Sequence, residues 1–150
     1  MTVQYMTGDL FAIPDMQVLA HGCNCAGVMG AGIARSFRTR YPAMYLVYQR
    51  KCRASVTPLS LGDAWVWRDA ALPWVANLAT QVRPGSRAIP AAIRTSLHAL
   101  RQQCETSAIT RIAMPHIGCG LGGLRWEQVQ PIVEDVWHDW AGTLIVVAYG

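Results

Sequence analysis

Charged residues are scarce in this chain: Asp, Glu, Lys and Arg make up 15% of its 150 residues, whereas 52% are hydrophobic. That composition excludes a disordered chain, and the length fits one domain with a buried core. No apolar run approaches the roughly 20 residues that span a bilayer, and the first residues lack the basic and apolar segments of a signal peptide. We therefore expect one domain over residues 1–150, cytoplasmic and without a membrane partner.

The signatures of several common ligand sites are also missing. The chain has no Gly-Lys-Ser or Gly-Lys-Thr, which disfavours a P-loop nucleotidase. The glycines at 27–32 lack the spacing of a dinucleotide-binding loop. The five cysteines are unclustered, and Cys23-x-Cys25 has the wrong spacing for a zinc knuckle. We interpret these two as ordinary buried thiols, and we expect no metal and no cofactor.

The net charge of +4 is modest, and basic residues concentrate at 35–40 and 50–53. We expect these residues to form a solvated helical face that can steer an anionic ligand toward the protein. They are weak grounds for nucleic-acid binding, because no recognised module or basic and aromatic platform accompanies them.

Apolar periodicity and Gly/Pro punctuation predict strands and helices that alternate along the chain. The predicted strands are 3–6, 17–20, 64–67, 74–79, 111–114 and 143–149, and the predicted helices are 33–40, 43–52, 90–105 and 127–140. This alternation predicts a three-layer α/β/α domain with a mixed, mostly parallel central sheet. Within the helices, Tyr45, Tyr48 and Cys52 should pack in the core or a groove, while His98 and His138 should be solvated.

A glycine-rich turn lies between the strand that ends near residue 20 and the helix that begins near residue 33. We call residues 24–32 the first glycine loop; it holds Gly27, Gly30 and Gly32, with Asn24 at the end of the strand. Glycine lets a ligand approach the main chain, and the first N–H groups of a helix have no internal partner. Such a turn is suited to phosphate oxygens, although a tight turn that binds nothing is the alternative.

A second strand, glycine turn and helix start occupies residues 115–126. We call residues 116–123 the second glycine loop; it holds Gly118, Gly120, Gly122 and Gly123. In an open α/β sheet, ligands bind beyond the carboxyl ends of the strands. Two such loops at one sheet edge would hold a diphosphate from both sides, so the pair predicts a phosphate-bearing ligand.

Three motifs together resemble a macrodomain over nearly the whole chain. They are Gly8-Asp9-Leu10; His21-x-Cys23-Asn24 with Gly27-x-x-Gly30-x-Gly32-Ile33-Ala34; and Met114-Pro115-x-Ile117-Gly118-Cys119-Gly120-Leu121 with Trp126-Glu127. The branch they resemble includes terminal ADP-ribose protein glycohydrolases, antitoxin macrodomains that reverse DNA ADP-ribosylation, and ADP-ribose-1″-phosphate phosphatases. The resemblance implies ADP-ribose or an ADP-ribosylated macromolecule as partner, and nucleic acid only as such a target. We expect a monomer.

The resemblance also implies roles for individual residues. Asp9 would accept a hydrogen bond from the adenine amino group beside the Leu10 backbone, and Asn24 would meet the distal ribose. Tyr149 would flank the adenine, unless it is simply an aromatic residue on an edge strand. The diphosphate and distal ribose would be lined from one side by Gly30, Ala31, Gly32 and Ile33, and the diphosphate clasped from the other by Ile117, Gly118, Cys119, Gly120 and Leu121.

The catalytic positions depart from the pattern of the terminal ADP-ribose glycohydrolases. The resemblance implies a nucleophilic lysine and an acidic residue at positions that are Gln81 and Gly122 here, which disfavours a covalent lysine mechanism. The leading hypothesis is hydrolysis of an ADP-ribosyl ester of an acidic side chain, with Asn24 or Gln81 positioning the reacting groups. One alternative is an ADP-ribose-1″-phosphate phosphatase with His21 as acid or base, although a histidine at a strand end is more often structural. Another is a reader that only binds ADP-ribose. The orientation of His116 is left open.

Overall fold

Six strands form one sheet in the computed structural model, which describes residues 2–85 and 87–149. The strands are β1 (Val3–Gly8), β2 (Val18–Cys23), β3 (Ala64–Trp67), β4 (Trp74–Ala79), β5 (Arg111–Pro115) and β6 (Thr143–Tyr149). Their spatial order is β1-β6-β5-β2-β4-β3. The pairing of β3 with β4 is antiparallel, and the other described neighbours are parallel. The prediction of a mixed, mostly parallel sheet is confirmed.

Helices cover both faces of this sheet. They are α1 (Gly32–Arg40), α2 (Pro42–Arg53), α3 (Pro90–Thr106) and α4 (Trp126–Trp137), with short 3-10 turns at Leu10–Ala12 and Gly120–Gly122. One buried cluster joins the sheet to α3 and α4 through residues such as Leu97 and Val133. The other joins it to α1 and α2 through Phe37 and Met44. The predicted three-layer arrangement is therefore confirmed.

Strand β2 lies at the centre of the sheet and contributes side chains to both buried clusters. Val18 and Ala20 belong to the cluster under α3 and α4, whereas Leu19 and Cys23 belong to the cluster under α1 and α2. Alternate side chains of a strand point to opposite faces, so a central parallel strand is apolar throughout. The exception is His21, which is buried with its neighbours.

Three predicted boundaries were wrong by two residues or more, and the first is the end of β1, which continues to Gly8 instead of residue 6. Strand β2 continues to Cys23 because β4 pairs with it over its full length, including His21 with Asn77. Helix α4 ends at Trp137, three residues before the predicted end. After Trp137 the chain must turn to enter β6. The turn is tight, because a Cβ on Gly142 would stand 2.6 Å from the carbonyl oxygen of Thr110.

Several smaller expectations can be compared directly with the structure. Tyr48 is fully buried and Tyr45 is half-buried, so their predicted packing is confirmed, and His98 and His138 are exposed, as predicted. Cys23 is buried but Cys25 is only half-buried, so the reading of both as buried thiols was wrong for Cys25. In the described part of the chain, no helix has the length and apolar character needed to cross a membrane.

Candidate functional site

A cleft of about 1300 Å³ follows the sheet edge at which the parallel strands end. A residue at or next to the carboxyl end of each parallel strand lines it; these residues are Gly8, Tyr149, Pro115, Cys23 and Thr80. Both glycine loops line the same cleft. The two loops therefore share one edge of the sheet, which is the arrangement that a shared diphosphate requires.

The cleft is centred where β2 and β5 separate. The two strands pair only through Val18 with Ile112 and Leu19 with Ala113, so their carboxyl halves are not joined by a ladder. The first glycine loop leaves β2 here and the second leaves β5. Chain connections depart in different directions on the two sides of this point, and α/β proteins place ligands in such crevices.

The first glycine loop is held by the side chain of Asn24. Its Oδ1 accepts hydrogen bonds from the N–H of Ala26 at 3.0 Å and the hydroxyl of Tyr48 at 2.8 Å, and its Nδ2 donates to the carbonyl of Val28 at 2.8 Å. The Tyr48 hydroxyl also lies 2.7 Å from the Asn24 carbonyl oxygen. Asn24 is thus a cleft residue whose amide shapes the loop and ties it to α2.

The end of the first glycine loop presents backbone donors to the cleft. Gly32 begins α1 with φ +62°, and Ala31 before it makes no side-chain capping bond. Gly30, Ala31, Gly32 and Ile33 all line the cleft. Because no side chain caps this end among the described residues, the first N–H groups of α1 remain available to an anion.

The second glycine loop approaches the first from the other side. Gly118 has φ +76°, and a Cβ there would stand 2.6 Å from the Ile93 side chain, so only glycine fits. Leu121 reaches across the cleft: its Cδ1 lies 3.0 Å from the point where a Cβ on Gly32 would stand. Ile117 is buried, while the Cys119 thiol is half-buried and directed to the Ile117 carbonyl.

The β1 and β6 end of the cleft holds Asp9 and Tyr149. Asp9 Oδ1 accepts a hydrogen bond from the N–H of Phe11 at 2.9 Å, so this carboxylate caps the Leu10–Ala12 turn. Tyr149, opposite Gly8 in the sheet, is 92% exposed. This end of the cleft is therefore the more open one.

Gln81 occupies the opposite end, just beyond β4. Its Nε2 donates to the carbonyl oxygens of Arg83 at 2.6 Å and Gly85 at 2.8 Å, which uses both amide hydrogens. Its Oε1 is turned toward the second glycine loop and lies 3.5 Å from the point where a Cβ on Gly122 would stand. Gln81 and Gly122, at which the resemblance implies a lysine and an acid, are therefore adjacent in space.

His21 does not reach the cleft. Its Nε2 lies 2.7 Å from Asn77 Oδ1, and its ring stacks on Phe37 with the centroids 4.1 Å apart. The side chain is fully buried, which lowers the pKa of the imidazole to about 4. The phosphatase alternative, in which His21 at a strand end acts as acid or base, was wrong, because β2 runs three residues further than predicted and buries the side chain.

Two further residues line the cleft: His116, whose orientation the sequence left open, and Thr80, to which it assigned no role. His116 lines the cleft, and its ring stacks on Trp126 at a centroid distance of 4.0 Å; burial lowers its pKa. Thr80 is buried at the cleft floor beside Gly22. Its place directly after β4 was the available signal, since residues at the carboxyl ends of parallel strands converge on one edge.

Residues 20–133 match the Macro domain family. Over 137 residues the chain is 32% identical to the ADP-ribose glycohydrolase OARD1 of Bos taurus, covering 91% of this chain and 84% of that protein. It is also 32% identical over 131 residues to the DNA ADP-ribosyl glycohydrolase of Mycobacterium tuberculosis, covering 85% of this chain and 36% of that protein.

A solved structure gives the same result at the level of the fold. The macrodomain of Mycobacterium tuberculosis DarG superposes with a TM-score of 0.86 at 29% identity, covering 97% of this chain and 96% of that chain. The fold, the paired glycine loops and the cleft between them are those of a nucleotide-binding α/β domain. The chain belongs to the macrodomain family.

Proposed function

We propose that this macrodomain is a hydrolase that releases ADP-ribose from an ester between C1″ of its distal ribose and a target carboxylate. Both relatives named above are glycohydrolases of ADP-ribosyl groups, which supports a hydrolase. The ester linkage and the absence of a lysine nucleophile are specific to the proposal. We further propose that the protein acts as a cytoplasmic monomer.

We propose the following pose of ADP-ribose in the cleft. The adenine lies at the open end, between Asp9 and Tyr149. The diphosphate lies between the α1 N-terminus and the second glycine loop, where backbone N–H groups and the helix dipole favour negative charge. The distal ribose then lies near Asn24 and Gln81, so the scissile bond lies at the β4 end of the cleft.

The reaction requires little from the protein beyond positioning the ester and the attacking water. A water oxygen bonds to C1″ as the bond from C1″ to the ester oxygen breaks, and the electron pair leaves with a carboxylate. The water proton passes through a diphosphate oxygen to solvent, and the products are ADP-ribose and the free carboxylate. A carboxylate is a good leaving group, so neither a covalent intermediate nor a strong general acid is needed.

The observation that carries the proposal is the fixed orientation of the Gln81 amide. Because the carbonyls of Arg83 and Gly85 hold its Nε2, Oε1 is presented as an acceptor beside Gly122. An amide cannot remove a proton, but it can hold a water by accepting its hydrogen bond. Gln81 therefore orients the water, and Asn24 keeps the adjoining loop in place.

The decisive experiment compares substrates. A protein carrying ADP-ribose on a glutamate and free ADP-ribose-1″-phosphate are incubated in parallel, and released ADP-ribose is quantified by chromatography. We expect turnover of the ester alone. Phosphate release from the second compound would favour a phosphatase, for which His21 offers no accessible acid or base. Tight binding of ADP-ribose with no turnover of either would leave a reader.

A further inference from the structure

We infer that the Gln81 end of the cleft receives an acidic polypeptide segment, so that esters flanked by further carboxylates are the preferred substrates. The inference rests on the proposed ester hydrolysis, because it concerns the part of the target that lies beyond the distal ribose. It is carried by four exposed arginines, which we call the basic rim: Arg50, Arg53, Arg83 and Arg87.

The two halves of the basic rim meet at the first glycine loop. The end of α2 contacts this loop through Gln49, whose Nε2 donates to the Gly27 carbonyl at 3.1 Å. The segment after β4 contacts the same loop through Val82, whose carbonyl accepts the N–H of Cys25 at 3.0 Å. Arg83 lies in the chain between the cleft-lining residues Gln81 and Gly85, and the N–H of Arg87 donates to the Gly85 carbonyl at 2.9 Å, so these two arginines border the Gln81 end of the cleft. Arg50 and Arg53 lie at the end of α2, beside the first glycine loop.

Charge on the molecule is segregated around this end. Between Asp15 and Asp63 the chain has six basic residues and no acidic one. Asp63, the next acidic residue after this stretch, lies beside the end of β4, where its carbonyl accepts the N–H of Ala79 at 2.8 Å, and its Oδ2 accepts the N–H of Ser60 at 2.8 Å. The ion pairs among residues 2–85 and 87–149 lie on α3 and α4 or just beyond α4; they are Arg94–Asp135, Arg101–Glu105 and Arg101–Asp139. Within the described chain, the charge of the rim therefore has no internal carboxylate partner.

The chemistry of the rim favours a peptide over a nucleic acid. Single-stranded nucleic acids bind by stacking bases on aromatic side chains, and the exposed aromatics of the described chain, Tyr5 and Tyr149, lie on β1 and β6. The exposed apolar residues near the rim are aliphatic: Val28, Val82 and Leu121. Arginine forks pair with carboxylates in two-pronged hydrogen bonds. Arginines interleaved with aliphatic side chains suit a peptide that is rich in Glu or Asp.

The test uses two synthetic peptides that each carry one Glu–ADP-ribose ester. In one the flanking residues are glutamates, and in the other they are glutamines. We expect kcat/KM to be about fivefold higher for the glutamate-flanked ester at low ionic strength, as a few exposed ion pairs allow. The ratio should approach one in about 1 M salt, where the Debye length is about 3 Å.

Charge reversal assigns this preference to the rim. Arg87→Glu should reduce the preference for the glutamate-flanked ester to less than about twofold while leaving the Kd for free ADP-ribose unchanged. Arg68→Glu is the matched control: Arg68 is exposed and follows β3, at the sheet edge opposite the cleft, beside the start of β4. This control should retain the preference.

The outcomes separate the two proposals. Equal kcat/KM for both esters would overturn the acidic-peptide inference while the hydrolase proposal stands. Binding without turnover of either ester would refute the hydrolase, and the inference would then stand or fall on the ratio of the two peptide Kd values. A stronger preference for ADP-ribosylated single-stranded DNA that requires Arg87 would assign the rim to nucleic acid and overturn the inference.

Discussion

The Oε1 of Gln81 lies 3.5 Å from the point at which a Cβ on Gly122 would stand. The two residues are separated by 41 positions in the chain, and each is carried to the far end of the cleft by a different strand-to-helix connection. A side chain introduced at Gly122 would therefore reach the same point in the cleft as the Gln81 amide oxygen. In the proposed reaction both positions lie beside the scissile bond, and each can be changed separately.

Gln81→Ala removes the acceptor that we assign to the attacking water. We expect kcat for ester hydrolysis to fall by about tenfold to a hundredfold, as for the loss of one positioned polar group in an active site. The Kd for ADP-ribose, measured by calorimetry, should change by less than about twofold, because one exposed hydrogen bond contributes little to binding. Parallel losses in Kd and kcat would instead make Gln81 a binding residue.

Gly122→Asp supplies the acid that this chain lacks. Gly122 does not have a positive φ, and its added Cβ would stand 3.0 Å from the Ala88 Cβ, a tight contact that a small shift relieves. A carboxyl group beside the reacting carbon can move a proton, so kcat should rise by about tenfold or more. Gly122→Asn adds the same bulk without an acid, and an equal gain in that variant would contradict the explanation.

Asp9→Ala tests the location of the adenine. We expect the Kd for ADP-ribose to weaken by about tenfold, since one charge-assisted hydrogen bond contributes about 1.5 kcal/mol or more. The loss of the cap on Phe11 should also lower Tm slightly. Asp9→Asn keeps an oxygen to cap the turn and separates the two effects. If calorimetry finds an unaltered Kd for Asp9→Ala, the adenine lies elsewhere.

His21 should make stability depend on pH in the mildly acidic range. Its pKa is about 4 in the folded protein because of burial, against about 6.5 in an unfolded chain. Between these values the unfolded chain binds more protons, so stability is full above about pH 6.5 and falls by about 3 kcal/mol in total toward pH 4. The loss slows below pH 4, where both states are protonated.

Urea unfolding at several pH values measures the contribution of His21 to the pH dependence of stability. His21→Gln has no group that titrates at this position, so its free energy of unfolding should fall less between about pH 6.5 and 4 than that of the unmodified protein. His116, whose pKa is also lowered, is present in both proteins and cancels in the difference. Identical pH profiles would mean that His21 is not buried in its neutral form.

The layers and the paired glycine loops follow from local patterns, and sequence was sufficient for them, whereas the strand order was not predicted. Apolar periods and glycines are local signals, and parallel strands bring their ends together. The burial of the His21 side chain could not be predicted from local patterns, because it depends on β4 pairing with β2 as far as Cys23. The direction of the Gln81 amide depends on two carbonyls in a loop without periodicity.

The Tyr48 hydroxyl couples local unfolding of the first glycine loop to that of α2. From the middle of α2 it donates to both the carbonyl and the side-chain oxygen of Asn24. The first glycine loop therefore cannot open unless α2 also unfolds locally. Segments coupled like this tend to unfold together, with a common free energy of opening. Amide protons of the loop and of α2 should then exchange with deuterated solvent in concert, and a nucleotide bound only at the loop would slow exchange throughout the helix.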